Sequence, residues 1–239
     1  MRRAWLLLLA LAAGGVAAWV AMTGPPAALF HRAERADPGP TTLEALGRYG
    51  EVPDFALTER SGRTVGRADL LGTVWVASFI YTRCAETCPL QSAQLARLQG
   101  EFAGAPDLRL VSMTVDPRHD TVAVLASYAE KYGADPRGWL FLTGSQNVIY
   151  RLAKDGFHLG VVDSDDPAPG RTSRLFRLLS PAPAWATHGS KGLIMHSSRL
   201  VLVDRGAQIR AYHLPDDEPS LGRLRRNLRT VLDEKKVTR

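Results

Sequence analysis

The chain has 239 residues, 45% of them hydrophobic and 23% charged, with a formal net charge of +6. That balance excludes a disordered polar chain and leaves room for a short targeting segment and one domain of ordinary size. The densest basic stretch, Arg223 to Arg239, has no interleaved aromatics, so it reads as the solvated face of a last helix rather than a nucleic-acid platform.

Met1-Arg-Arg3 precedes an uncharged run from Ala4 to Thr23 that holds Trp5, Leu6 to Leu9, Leu11 and Trp19. About twenty residues at ~1.5 Å each cover ~30 Å, enough to cross a bilayer as a helix. The two arginines are expected to stay cytoplasmic, which makes residues 1–23 a single-pass inner-membrane anchor with the domain on the periplasmic side. The alternative is a cleaved signal segment with Val16-Ala-Ala18 as its small-residue site. Residues 24–48, with Pro25-Pro26 and Asp37-Pro-Gly-Pro40, read as a linker, and 49–235 as the folded domain.

Within the domain, Glu51 to Leu57, Ser61-Gly62 and Arg63 to Val65 predict a β-hairpin, and Ala68 to Leu71 a helical turn. Val74-Trp-Val-Ala-Ser-Phe-Ile80 predicts a buried central strand. The following helix has Pro89 near its start, apolar positions at Leu90, Ala93, Leu95, Leu98 and Phe102, and Gly104 at its close. Strands at 108–115 and 139–142 alternate with helices at 121–132 and 145–154, the last with Ser145 as N-cap, and 159–162 supplies a further short strand. Residues 163–192, rich in Pro, Ser, Asp and Gly, read as an insertion or lid. Strands at 199–203 and 208–212 flank the hairpin signal Asp204-Arg-Gly206, and 221–232 is the final helix. This order predicts an α/β three-layer sandwich.

The chain's two cysteines fall in Tyr81-Thr-Arg-Cys-Ala-Glu-Thr-Cys-Pro89, at the junction of the buried strand and the next helix. A spacing of four predicts both sulfurs on one face of a helical turn, and a helix N-terminus favours thiolate. Cys84 and Cys88 thus form a soft pair suited to copper, zinc or disulfide exchange. A structural staple closes too small a loop to stabilise the fold much. Among the histidines, His31 is in the linker, His119 is in the Asp116–Asp120 loop, His158 begins a short strand, His188 is in the insertion and His213 follows the closing hairpin. His196 stands apart: in a thioredoxin-like sandwich the loop before the closing hairpin lies beside the cysteine-bearing helix. There it would add an imidazole nitrogen to two sulfurs, a set that fits copper better than a four-ligand zinc site.

Several motifs then resemble the Sco/SenC family of thioredoxin-like copper-binding proteins. They are Cys84-x-x-x-Cys88-Pro89, Val111-Ser-Met-Thr-Val-Asp-Pro117 with Asp120-Thr121, Tyr128-Ala129, Tyr132-Gly133, Trp139 to Gly144 and His196-Ser197, in order across 51–212. The resemblance implies a thioredoxin-like fold with Cys84, Cys88 and His196 as ligands of Cu(I) or Cu(II). It further implies a metallochaperone that helps assemble the binuclear copper centre of cytochrome c oxidase, with that enzyme's subunit II or another exported cuproprotein as partner. The alternative is a membrane-anchored thiol-disulfide oxidoreductase in which Cys84 and Cys88 are the catalytic redox pair. A peroxiredoxin-like peroxidase fits the CxxxC-Pro arrangement poorly.

This chain departs from many relatives in having Met195, not aspartate, before the histidine; alternation along an extended segment makes Met195 core rather than ligand. Asp116 and Asp120 read as a turn residue and an N-cap rather than an acid/base pair. Arg83 either lowers the Cys84 pKa by its charge or faces outward.

Overall fold

The computed structural model describes residues 43–159 and 198–234, together with the backbone of 161–162 and 195–196. The expected anchor or signal segment at 1–23, the linker before residue 43 and the whole insertion expected at 163–192 lie outside the described residues. Among the described residues no helix is long and apolar enough to cross a membrane.

Seven strands form one mixed sheet: β1 (Ala56–Glu59), β2 (Thr64–Gly66), β3 (Val74–Ile80), β4 (Leu108–Thr114), β5 (Trp139–Thr143), β8 (Leu200–Val203) and β9 (Ile209–His213). Their order is β2-β1-β5-β4-β3-β8-β9. β3, β4 and β5 run parallel, whereas β1 and β8 are antiparallel to β5 and β3. A separate pair, β6 (Val161–Val162) and β7 (Met195–His196), is antiparallel, with Val161 opposite His196. The helices are α1 (Thr87–Glu101), α2 (Val122–Lys131), α3 (Gln146–Arg151) and α4 (Glu218–Asp233).

The strand period of two divides the apolar run of β3 between two cores. Trp75, Ala77 and Phe79 join Val111, Met113, Leu140 and Leu142 on one face, closed by Ile149, Leu152 and Phe157. Val74, Val76 and Ile80 join Leu110, Trp139 and Phe141 on the other, covered by Leu95 and Leu98 of α1, Leu125 and Tyr128 of α2, and Leu221, Leu224 and Leu228 of α4. The three-layer sandwich expected from the strand-helix alternation is the architecture found. Three polar side chains pair inside the sheet: Ser78 and Ser112 face each other in register at 2.9 Å, and Trp139 Nε1 donates to Ser112 Oγ.

Local differences from the sequence pattern have physical causes. α1 ends at Glu101 rather than at Gly104. It buries Gln91, Ser92 and Gln94 while Leu90 is 40% exposed, so its inner face is set by positions 88, 91, 92, 95 and 98. Thr121, not Asp120, caps α2, its side chain accepting from the Val124 N–H. Ser145 is the N-cap of α3 but makes no side-chain cap bond, and a wider turn over Leu152–Gly156 continues that helix. In the β8–β9 hairpin the left-handed residue is Ala207, at φ 61°, rather than Gly206.

Residues 43–48, assigned to the linker by composition, pack on the domain. Tyr212 N–H donates to Leu43 O, Gly47 N–H to Arg210 O and Tyr49 N–H to Ile209 O, which lays the segment along the outer edge of β9. Glu44 is buried there, accepting from Arg223 Nε and Ser220 Oγ at 2.6 Å each. Arg223, read from sequence as part of a solvated basic face, is therefore buried. Asn227 Nδ2 bridges Glu44 O and Nε2 of the fully buried His213.

Burial pushes the His213 imidazole down from 6.5 to about 4, with the Glu44 carboxylate opposing and the Arg223 charge reinforcing the shift. The unfolded chain takes up this proton near pH 6.5 and the folded chain only near pH 4. Stability is therefore full above pH 6.5 and falls across that window by roughly 3 kcal/mol. Glu44, held below its usual value by Ser220 and Arg223 against the effect of burial, contributes a loss only at lower pH. Urea unfolding of the full chain at a series of pH values from 7.5 to 4.5 should show this slope, and His213→Gln should remove most of it. An unchanged slope in the variant would assign it to other groups.

Candidate functional site

Parallel strands β3 and β4 end together, and Val115 N–H donates to Ile80 O. Loop 81–86 and loop 115–120 therefore meet at the carboxyl end of the sheet, where α/β folds place their sites. β8 is antiparallel to β3 with Val201 opposite Ala77, so the segment entering Leu200 arrives at that same end. Gln91 Nε2, one turn beyond Cys88, donates to Arg199 O at 3.3 Å across this junction.

The cysteines do not share a helical turn as their spacing predicts. α1 begins at Thr87, which leaves Cys84 in the loop and Cys88 in the first turn. Cys88 is 0% exposed, Cys84 is half-buried, and the two are not disulfide-bonded. Glu86 at the N-cap position makes no side-chain cap bond; instead the Cys88 N–H points at Cys84 Sγ, 3.4 Å away. The Cys84 sulfur thus accepts one of the free N–H groups at the start of the helix.

That environment separates the two thiols. Donation from the Cys88 thiol, then from the N–H groups of Cys88 and Glu86 and the Thr87 hydroxyl, outweighs burial and pulls Cys84 down to about 4. Cys88 moves far up, because its proton is held by Cys84 and its side chain is buried. Cys84 is thus the more acidic and the more accessible sulfur of the pair. Iodoacetamide alkylation of Cys84 should hold near its plateau from pH 8 down to pH 5 and fall through about pH 4. A rate that rises only near pH 8–9 would contradict this assignment.

Arg83 turns to a carboxylate. Its guanidinium donates to Asp116 at 2.6 Å and ties the cysteine loop to loop 115–120. Asp120, fully buried, accepts from Thr82 N–H, Thr82 Oγ1 and Thr114 Oγ1 and lies 3.0 Å from His119 Nδ1. Asp116, His119 and Asp120 are the three potential metal-ligating side chains that cluster among the described residues. The carboxylate contacts to Arg83, Thr82 and Thr114 make the cluster a brace for the cysteine loop. It was not legible as such, because its contacts to Thr82 and Arg83 span more than thirty residues.

For a soft metal, the donors of known geometry are the two sulfurs, which fit copper by their chemistry. The His196 backbone lies in β7, four residues before β8, but the side chains of Met195 and His196 lie outside the described residues.

A mixed sheet with a CxxxC at the end of a parallel strand, opening into a helix, defines a dithiol domain of thioredoxin-like class. The SCO1/SenC family model matches residues 44–232, and the chain belongs to that family. A SCO1 protein homolog of Bacillus subtilis is 37% identical over 109 residues, covering 45% of this chain and 56% of the relative. The chain spans about half the length of the curated relatives it matches. Among solved structures, BsSco, described as having a disulfide switch and as a member of the Sco family of cytochrome c oxidase assembly proteins, aligns with a TM-score of 0.61 at 23% identity. That alignment covers 80% of this chain and 99% of BsSco. Arabidopsis thaliana ScoI with copper bound aligns at 0.59 and 18% identity, covering 78% and 100%. At these identities the two structures speak to the fold.

Proposed function

We propose that the chain binds copper as cargo and takes part in assembling the binuclear copper centre of cytochrome c oxidase, with Cys84, Cys88 and His196 as the ligands. The observation that carries the reading is the unlinked Cys84–Cys88 pair at the mouth of α1, one sulfur buried and the other half-exposed, on a chain of this family. Further support comes from the family's copper-bound and oxidase-assembly members. The half-exposed Cys84 offers a soft donor to incoming metal, while Cys88 adds a second from a water-poor position. The recipient in this proposal is cytochrome c oxidase subunit II or another exported cuproprotein. Residues 1–23 are the inner-membrane anchor, with the domain on the periplasmic side.

A second reading, a thiol-disulfide oxidoreductase that keeps cuproprotein cysteines reduced, is favoured by the same geometry. Cys84 would attack a partner disulfide, forming a mixed disulfide and expelling the partner's first sulfur as a thiolate; the Cys88 thiol would pass its proton to that thiolate and break the mixed disulfide, releasing the partner's second sulfur as the other reduced thiol. The partner gains two electrons, and the Cys84–Cys88 disulfide that remains must be reduced by another dithiol.

Copper titration of the full reduced chain separates the two. The chaperone reading expects one tightly held copper per chain, thiolate-to-copper charge transfer with Cu(II), and at least tenfold weaker retention in His196→Ala. Unchanged retention in that variant, with fast reduction of model disulfides, would favour the oxidoreductase.

A further inference from the structure

Tyr81 is the residue through which β3 meets both sulfurs. It follows Ile80 at the carboxyl end of the strand, and its half-buried ring packs against both cores, in the second of them together with Cys84 and Cys88. Three of its groups reach the cysteines. Its carbonyl accepts from the Cys84 N–H at 3.1 Å, its own N–H is directed at the Cys88 sulfur, and its phenol hydroxyl is hydrogen-bonded to the Cys84 sulfur. A phenylalanine would fill the same aromatic place and keep both backbone bonds. What the hydroxyl adds is one hydrogen bond, and its partner is a sulfur.

The phenol acts as the donor in that bond. Burial, and then the Cys84 sulfur, push it above its ordinary range, so the hydroxyl keeps its proton. The other side-chain donors described for this sulfur differ in kind. The Cys88 thiol proton must leave when both sulfurs take up metal. Thr87 Oγ1 lies 3.8 Å away on an exposed residue, where water can replace it. The tyrosine hydroxyl carries no proton that metal displaces, and it sits on a packed ring. A hydrogen bond to a ligating thiolate draws electron density from the sulfur. Cu(II) depends on that density more than Cu(I) does, so hydrogen bonding at a cysteine sulfur shifts the balance between the two oxidation states.

We propose that Tyr81 is a positioning residue that acts through Cys84: its hydroxyl donates to the sulfur, biases the site toward Cu(I), and steadies the metal-free dithiol against the disulfide. This inference rests on the reading of Cys84 as a copper ligand, and the test separates the two claims.

The test compares the full chain with Tyr81→Phe, which removes the hydroxyl alone. With copper alone as probe, competition against chelators should show the ratio of Cu(I) to Cu(II) affinity falling about tenfold, which is a one-electron midpoint about 59 mV lower. The thiolate-to-Cu(II) absorption should move to longer wavelength, because the sulfur electrons are held less tightly. In the metal-free protein, equilibrated with reduced and oxidised glutathione, the ratio of Cys84–Cys88 disulfide to dithiol should rise several-fold at fixed buffer composition. Introducing 3-fluorotyrosine at position 81 keeps the ring and strengthens the donor, so it should move the affinity ratio and the absorption the opposite way even if Tyr81→Phe folds poorly. A lowered urea midpoint in Tyr81→Phe, with affinity ratio, absorption and glutathione equilibrium all as in wild type, would make the hydroxyl a packing group and refute the proposal. If Cys84→Ser abolishes copper retention while Tyr81→Phe and the fluorinated chain change neither ratio nor absorption, the role of Tyr81 is refuted and the ligand reading stands. If Cys84→Ser leaves retention unchanged, the ligand reading falls and takes this inference with it.

Discussion

Replacing Glu44 by alanine is expected to destabilise the domain by about 3–5 kcal/mol, the usual penalty for stripping one partner from a buried ion pair. The reason is geometric. Arg223 Nε and Ser220 Oγ both donate to the Glu44 carboxylate, and Asp217 stands 3.6 Å from Arg223 as a more exposed and weaker substitute. Without Glu44 the buried guanidinium loses its hydrogen-bonded carboxylate. The N-terminal segment loses its inner anchor as well, so the Gly47, Tyr49 and Tyr212 amides, which bond across the 43–49 and β9 edge, should exchange faster with solvent. Replacing both partners with apolar residues, Glu44→Leu with Arg223→Met, should recover most of the loss. Urea unfolding at pH 7 with amide exchange checks this. A loss under about 1 kcal/mol in Glu44→Ala would mean that Asp217 compensates fully.

The second large effect is expected at Asp120. Asp120→Ala removes the acceptor for Thr82 N–H, Thr82 Oγ1 and Thr114 Oγ1 in a place closed to water, a loss of roughly 3 kcal/mol. Its more telling consequence is local. Thr82 sits two residues before Cys84, so freeing it should loosen the Cys84 sulfur from the Cys88 N–H. Two measurements bear on this: the urea midpoint, and the alkylation of Cys84 at pH 5, where a thiol released from its donors becomes protonated and slow. A destabilised variant whose Cys84 still reacts at the wild-type rate at pH 5 would show that the brace serves the fold and not the thiol.

Much of the fold was legible because local pattern and tertiary role coincide. β3 reads as a buried parallel strand because all seven residues are apolar or small, and the structure uses the alternation to feed two cores. The strand order could not be read from pattern, since it depends on which edges pair across long loops. The cysteine pair was visible from its spacing and neighbours, but its geometry was not. Only the start of α1 at Thr87 decides that Cys84 lies outside the helix and accepts a backbone N–H rather than sharing a face with Cys88. Glu44 and Asp120 escaped for another reason: their meaning lies in partners 179 and 38 residues away, and nothing beside them in the chain marks a buried carboxylate. Gln91 and Leu90 show the same limit: of the apolar positions expected at helical spacing Leu95 and Leu98 are packed, but in the first turn the buried place goes to Gln91 and Leu90 is exposed.

The central claim is that Cys84, Cys88 and His196 together hold one copper ion. X-ray absorption at the copper edge of the Cu(I)-loaded full chain tests it most directly, since it counts the donor atoms around the metal. Two sulfurs and one imidazole nitrogen per copper are expected, with the nitrogen lost in His196→Ala and a sulfur lost in Cys84→Ser or Cys88→Ser. A shell without sulfur, or one of two sulfurs that is the same in wild type and His196→Ala, would contradict it.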